Sequence, residues 1–74
     1  MDMYLVQYIS ADGNFFPSVR TYAEVISNAR KMMEVGGRMT IYRLRPKRDP
    51  ERMLLAQTKG ILYLEDCYGN KIWE

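Results

Sequence analysis

The chain opens on an alternation. From Met3 to Ile9 the run Met-Tyr-Leu-Val-Gln-Tyr-Ile is rich in β-branched and aromatic residues and reads as a strand. A two-residue period turns Met3, Leu5, Gln7 and Ile9 one way and Tyr4, Val6 and Tyr8 the other, so both faces are largely apolar. The stretch Ser10-Ala11-Asp12-Gly13-Asn14 contains Asp-Gly, whose glycine tolerates positive φ, and predicts a hairpin turn into Phe15-Phe16. The second strand is expected to be short and to lie at an edge, because Pro17 lacks the donor a central strand needs.

The period then changes. Tyr22, Val25, Ile26, Ala29, Met32 and Met33 recur at helical spacing, while Glu24, Asn28, Lys31 and Glu34 point elsewhere. Thr21 followed by Glu24 matches a capping box, with Ser18 a competing cap one turn earlier. Gly36-Gly37 supplies a residue free to close the helix in a left-handed conformation. The expected helix runs over 21–35 and spans about 22 Å.

Alternation returns in Arg38-Met39-Thr40-Ile41-Tyr42-Arg43-Leu44-Arg45, a strand that Pro46 stops. Over 50–59 two readings stand. Asp49 as a cap and Pro50 at the first helical position favour a short second helix, whereas the four apolar residues Met53-Leu54-Leu55-Ala56 carry no helical period and suit an extended segment equally well. After Gly60, Ile61 to Leu64 reads as a strand, the turn falls around Cys67-Tyr68-Gly69-Asn70, and a short return follows through Ile72 and Trp73.

These elements predict an α+β fold in one domain spanning 1–74. Its order is β-β-α-β-(α)-β-β: a mainly antiparallel sheet of four or five strands with one long amphipathic helix on one face. A helix about 10 Å wide cannot cover four or five strands about 4.8 Å apart. The ring-rich face, expected to carry Tyr4, Tyr8 or Tyr42, must therefore meet the short helix, another copy, a partner or water. Tyr4, Tyr8 and Trp73 are the expected interface residues, and the uncovered surface raises the prospect of a homodimer.

Composition narrows the chemistry. Seventy-four residues with no His and one Cys hold neither an internal disulfide nor the three or four ligands of a zinc site, so no metal and no cofactor are expected. The opening Met1-Asp2-Met3 is acidic and no apolar run reaches membrane-spanning length, so a soluble, cytoplasmic protein without membrane association is expected. General acid and base catalysis has no imidazole to use. Glu65 and Asp66 are strand neighbours facing opposite ways, best read as a solvated hairpin end. Cys67 beside those carboxylates is disfavoured as a thiolate and reads as a buried or half-buried structural thiol. Gly36-Gly37 follows a helix instead of preceding one, so it is a cap and not a phosphate loop. The six methionines read mainly as core filling.

Charge placement stands out. Residues 1–37 hold three cations and four anions for a net of −1, residues 38–59 seven and two for +5, and residues 60–74 one and three for −2. Arg43, Arg45, Lys47, Arg48 and Arg52 are therefore candidates for one basic patch, with Tyr42 placed to stack on an unpaired base. Neutralisation by Asp49, Glu51 and the last hairpin is the plain alternative, and an acidic partner protein is another use for the arginines. The expected function is a small non-catalytic protein-binding or regulatory module acting through its uncovered sheet face. The alternative is a nucleic-acid-binding protein using 43–52.

Overall fold

The alternating run at the start forms β1 (Met3–Ile9) and the residues after the Asp-Gly turn form β2 (Phe15–Thr21). The helix follows directly as α1 (Tyr22–Val35), and then come β3 (Arg38–Leu44), β4 (Glu51–Thr58), β5 (Ile61–Glu65) and β6 (Lys71–Ile72). This is the architecture of a computed structural model, which describes residues 2–73. The six strands make one sheet in the order β2-β1-β3-β4-β5-β6, and each neighbouring pair is antiparallel. Strands β2 and β3 flank β1, so α1 carries the chain from one side of β1 to the other.

Local chemistry sets the ends of α1. The Thr21 hydroxyl accepts from the Glu24 amide at 3.3 Å, and the Glu24 carboxylate accepts from the Thr21 amide at 2.9 Å. This is the reciprocal capping box, and it satisfies two donors that have no partner inside the helix. At the other end the Gly36 amide donates to the Met32 carbonyl at 2.7 Å, and Gly36 sits at φ 86°, where a side chain is disfavoured.

The register assigns every side chain to a face. Tyr4, Val6 and Tyr8 of β1 lie on the helix side with Met39, Ile41 and Arg43 of β3, Glu51, Met53 and Leu55 of β4, and Leu62 and Leu64 of β5. Tyr4, Val6, Ile41, Met53 and Leu64 meet Tyr22 and Val25 of α1 in the buried core. The Tyr4 and Tyr22 rings meet edge to face, 5.9 Å apart at 64°. The Tyr22 hydroxyl donates to the Ile72 carbonyl at 2.6 Å and ties α1 to the last strand.

One open choice is decided and three expectations are corrected. Residues 50–59 form no helix: Glu51–Thr58 is β4, because Lys59 (φ 49°) and Gly60 (φ 80°) make a two-residue turn that pairs Thr58 with Ile61. The sheet consequently has six strands instead of four or five. The second strand is at an edge but is seven residues long. Finally, Tyr4 and Tyr8 face the helix: Tyr4 has no exposed surface, since α1 chooses the even-numbered face of β1.

The uncovered face therefore carries the other set. It presents Met3, Leu5 and Ile9 of β1, Phe15, Pro17 and Val19 of β2, Tyr42 and Leu44 of β3, Leu54 of β4 and Ile61 of β5; Tyr63 of β5 points the same way but is buried beside Lys71 and Trp73. The shortest molecular dimension is 19 Å against 35 and 29 Å for the other two, the thickness of one sheet with one helix upon it.

Candidate interaction surfaces

Two surfaces gather the residues singled out by the sequence. The first is an open cleft of about 530 Å³ at the end of the sheet where β3 leaves and β4 begins, lined in part by Arg43, Arg45, Arg48, Arg52, Asp49 and Glu51. Arg43 is buried on the helix side, and its Nε and Nη2 donate to Glu51 Oε1 at 3.0 and 2.6 Å. Burial works against its charge, but the hydrogen bonds and charge of Glu51 outweigh burial and raise its pKa. Arg45, on the same face, approaches Asp2 at 3.6 Å.

The remaining cations diverge. Lys47, at φ 60°, and Arg48 occupy the exposed turn before β4. Arg52 is opposite Tyr42 and projects from the uncovered face. Four of the five expected patch residues, Arg43, Arg45, Arg48 and Arg52, thus border one cleft, although they reach it from two faces and a turn and two of them are matched to carboxylates. Tyr42 is half-buried beside Arg52.

The last turn closes this cleft with chemistry the sequence hid. Asp66 is buried and accepts from the amides of Tyr68 and Asn70, each at 2.9 Å, and from Asn70 Nδ2 at 3.1 Å. Its expected role as a solvated hairpin end is corrected: the carboxylate organises the turn. Cys67 is exposed, not buried or half-buried: the turn sets it on the rim of the cleft, where its Sγ donates to Glu51 Oε2 at 3.9 Å, beside the 84% exposed Tyr68. Among the described residues no group of three or more His, Cys, Asp or Glu is placed to hold a metal ion, and no helix is long and apolar enough to cross a membrane.

Asp66 makes a pH prediction. The Asn70 backbone bond, followed by the Asn70 side chain and the Tyr68 amide, holds its carboxyl below the ordinary value despite burial. A depressed folded pKa contributes stability that is present above the unfolded value and is lost as pH falls through the folded one. The melting temperature is therefore expected to fall more steeply below about pH 4 than that of Asp66→Asn. Parallel pH profiles for the two proteins would refute this role.

The second surface is the uncovered face of the sheet. Phe15, Val19 and Leu54 are each more than half exposed on it, and so are Ile61 and Trp73 at the β5 edge, where they also line a cleft with Tyr22, Ala23 and Ile26 of α1. Trp73 lies 5.0 Å from the Tyr63 ring, centroid to centroid, and Lys71 Nζ stands 5.2 Å from the centroid of the same ring. Of the three expected interface residues, Trp73 is on the surface, Tyr4 is enclosed, and Tyr8 is half-buried, stacked on Phe16 with its hydroxyl bonded to the Gly36 carbonyl at 2.9 Å. Phe15, Val19, Leu54 and Ile61 were not foreseen. Their signal was parity: Phe15 and Val19 pair with Ile9 and Leu5, the alternate set of β1.

Both edges of the sheet are poor docking lines. The Ser10 amide donates to the Asn14 carbonyl at 2.9 Å, which makes this pair hydrogen-bonded and, by alternation, Gln7 and Pro17 non-hydrogen-bonded. The nitrogen of Pro17 therefore faces outward and interrupts the donor row of β2. The other edge, β6, has two residues. No family model, curated protein or solved structure matches the chain, so geometry and chemistry carry the functional argument.

Proposed function

We propose that the chain is a non-catalytic protein-interaction module that docks through the uncovered face of its sheet, with a second copy of itself as the occupant. The observation that supports this reading is the set Phe15, Val19 and Leu54, each more than half exposed on the face turned away from α1, continued at the β5 edge by the equally exposed Ile61 and Trp73, which also border α1. Burial of exposed apolar side chains against a partner favours association.

Size supports a dimer. A footprint of 35 by 29 Å corresponds to about 800 Å² per partner, the standard size for a stable interface. The interrupted β2 edge and the short β6 favour face-to-face contact over continuation of the sheet. A two-fold arrangement would cover both exposed faces at once. The absence of His from the sequence supports the non-catalytic part of the reading, because no side chain has an unperturbed pKa near neutrality.

Light scattering is expected to give twice the 8.7 kDa chain mass, and Val19→Glu with Ile61→Glu is expected to weaken association more than about tenfold while leaving the circular dichroism spectrum unchanged. A wild-type protein that stays monomeric at high concentration would overturn the dimer.

A further inference from the structure

The sheet is not continuous. Strands β3 and β4 pair only at Ile41 with Met53, Tyr42 with Arg52 and Arg43 with Glu51. In the same register Met39 would next exchange hydrogen bonds with Leu55, and this pairing is not made. Instead β4 continues with β5 through Leu54 to Thr58, while β3 stays with β1 back to Arg38. The two halves of the sheet diverge around an opening of about 510 Å³.

Hydrogen-bond alternation shows what lines that opening. The bond from the Ser10 amide to the Asn14 carbonyl gives the even-numbered residues of β1 to β2 and the odd-numbered ones to β3. Arg38, Thr40 and Tyr42 then bond to β1, and the amide and carbonyl of Met39 face β4. At the other wall, Thr58 and Ile61 flank a two-residue turn, so Thr58, Ala56 and Leu54 bond to β5 and the backbone of Leu55 and Gln57 faces β3. Donors and acceptors therefore stand on both walls, with the apolar side chains of Met32, Met39, Met53 and Leu54 around them. Unpaired strand backbone between apolar side chains is the arrangement that accepts an added strand.

Charge specifies the occupant further. Arg38 and Arg52 both line the opening and are exposed. The ion pairs among the described residues are those of Arg20, Arg43 and Arg45, so neither Arg38 nor Arg52 is matched to a carboxylate there. We infer that the opening between β3 and β4 receives an extended segment of a partner polypeptide, with apolar side chains at alternate positions and a carboxylate beside Arg38 and Arg52. Main-chain bonds to Met39 and Leu55 supply affinity, and the arginines select an acidic residue. The opening shares Arg52 and Leu54 with the uncovered face, so a monomeric variant is the form in which to test it, and the site does not depend on the proposed dimer.

A phage library of random seven-residue peptides supplies the probe, followed by synthesis of the selected sequences. Selection is expected to yield alternating apolar residues with Asp or Glu. Binding is expected to slow amide exchange at Leu55 and Met39 by about tenfold or more. Arg38→Glu with Arg52→Glu, both at exposed positions, is expected to weaken binding at least tenfold. The Val19→Glu and Ile61→Glu variant is expected to bind the same peptides as a monomer, which separates this site from the dimer face.

Three outcomes would overturn the inference. They are a free protein whose Leu55 and Met39 amides exchange as slowly as those of Ile41 and Met53, a library that yields no peptide dependent on Arg38 and Arg52, and selected peptides that protect other amides and leave these two unchanged.

Discussion

Gly37→Ala is expected to destabilise the protein by about 3 kcal/mol or more, combining overpacking with backbone strain. A Cβ at this position would stand 2.6 Å from the Ile9 carbonyl oxygen and 2.9 Å from both Cε1 and the hydroxyl oxygen of Tyr8. The first neighbour is backbone at the end of a paired strand, and the ring is held by its bond to the Gly36 carbonyl. Neither can retreat cheaply. Gly37 also has φ 109°, a region that residues with a side chain avoid.

In a domain of this size the loss corresponds to a fall of roughly 12–25 °C in melting temperature. Gly13→Ala separates the causes. Its φ is 88° but nothing lies within 4 Å of the added carbon, so it bears only the conformational term of about 1 kcal/mol. Thermal unfolding followed by circular dichroism checks both. Equal losses at the two glycines would show that the close approach of Gly37 to β1 has no energetic weight.

Glu51→Ala is expected to cost about 2–3 kcal/mol, below the full penalty for breaking a buried pair because Glu51 lies towards the rim. The Arg43 side chain is 6% exposed and that of Glu51 25%, and Glu51 supplies both of its hydrogen bonds. A lysine or histidine left alone there would lose its proton. An arginine keeps its charge, since its pKa lies far above any physiological pH, so without Glu51 a buried cation is left with the longer-range charges of Asp2 and Asp66 to offset its burial.

The double replacement Arg43→Met with Glu51→Leu is expected to recover most of the loss, because apolar side chains of similar volume need no partner. Urea unfolding of the two variants tests this. A double variant no more stable than Glu51→Ala would show that packing around Arg43, and not its charge, sets the cost.

The same pair shows how far the sequence carried. Arg43 and Arg45 were expected on one strand face, and they share it. Nothing in the spacing says that this face is the one α1 covers, so the sequence groups Arg43 with the exposed cations, whereas it is a buried, matched charge. The helix itself was legible because its signals are local: a capping box between Thr21 and Glu24, apolar residues at helical spacing, and glycines where the chain must turn back. The first and last hairpins were legible for the same reason.

Residues 50–59 were undecided because Asp49-Pro50 and the run Met53 to Ala56 support helix and strand alike. The turn at Lys59 and Gly60 decides, since it is two residues long and fixes Thr58 opposite Ile61. A strand partner supplies hydrogen bonds that an isolated short helix cannot match in water. The candidate interface was half legible in the same sense: a helix too narrow for its sheet was a matter of widths, whereas the choice of Tyr4 and Tyr8 as surface residues was a choice of parity.

Two determinations therefore belong to the sequence by itself: the strand and helix periods with most of their boundaries, and the surplus of apolar strand surface over what one helix can cover. Each follows from spacing along the chain. The tertiary structure decided which parity of β1 meets α1, which arginines remain without carboxylates, and where β3 and β4 part company. Those outcomes depend on contacts between residues far apart in sequence. A shift of one residue in register would exchange the two faces without changing any local propensity.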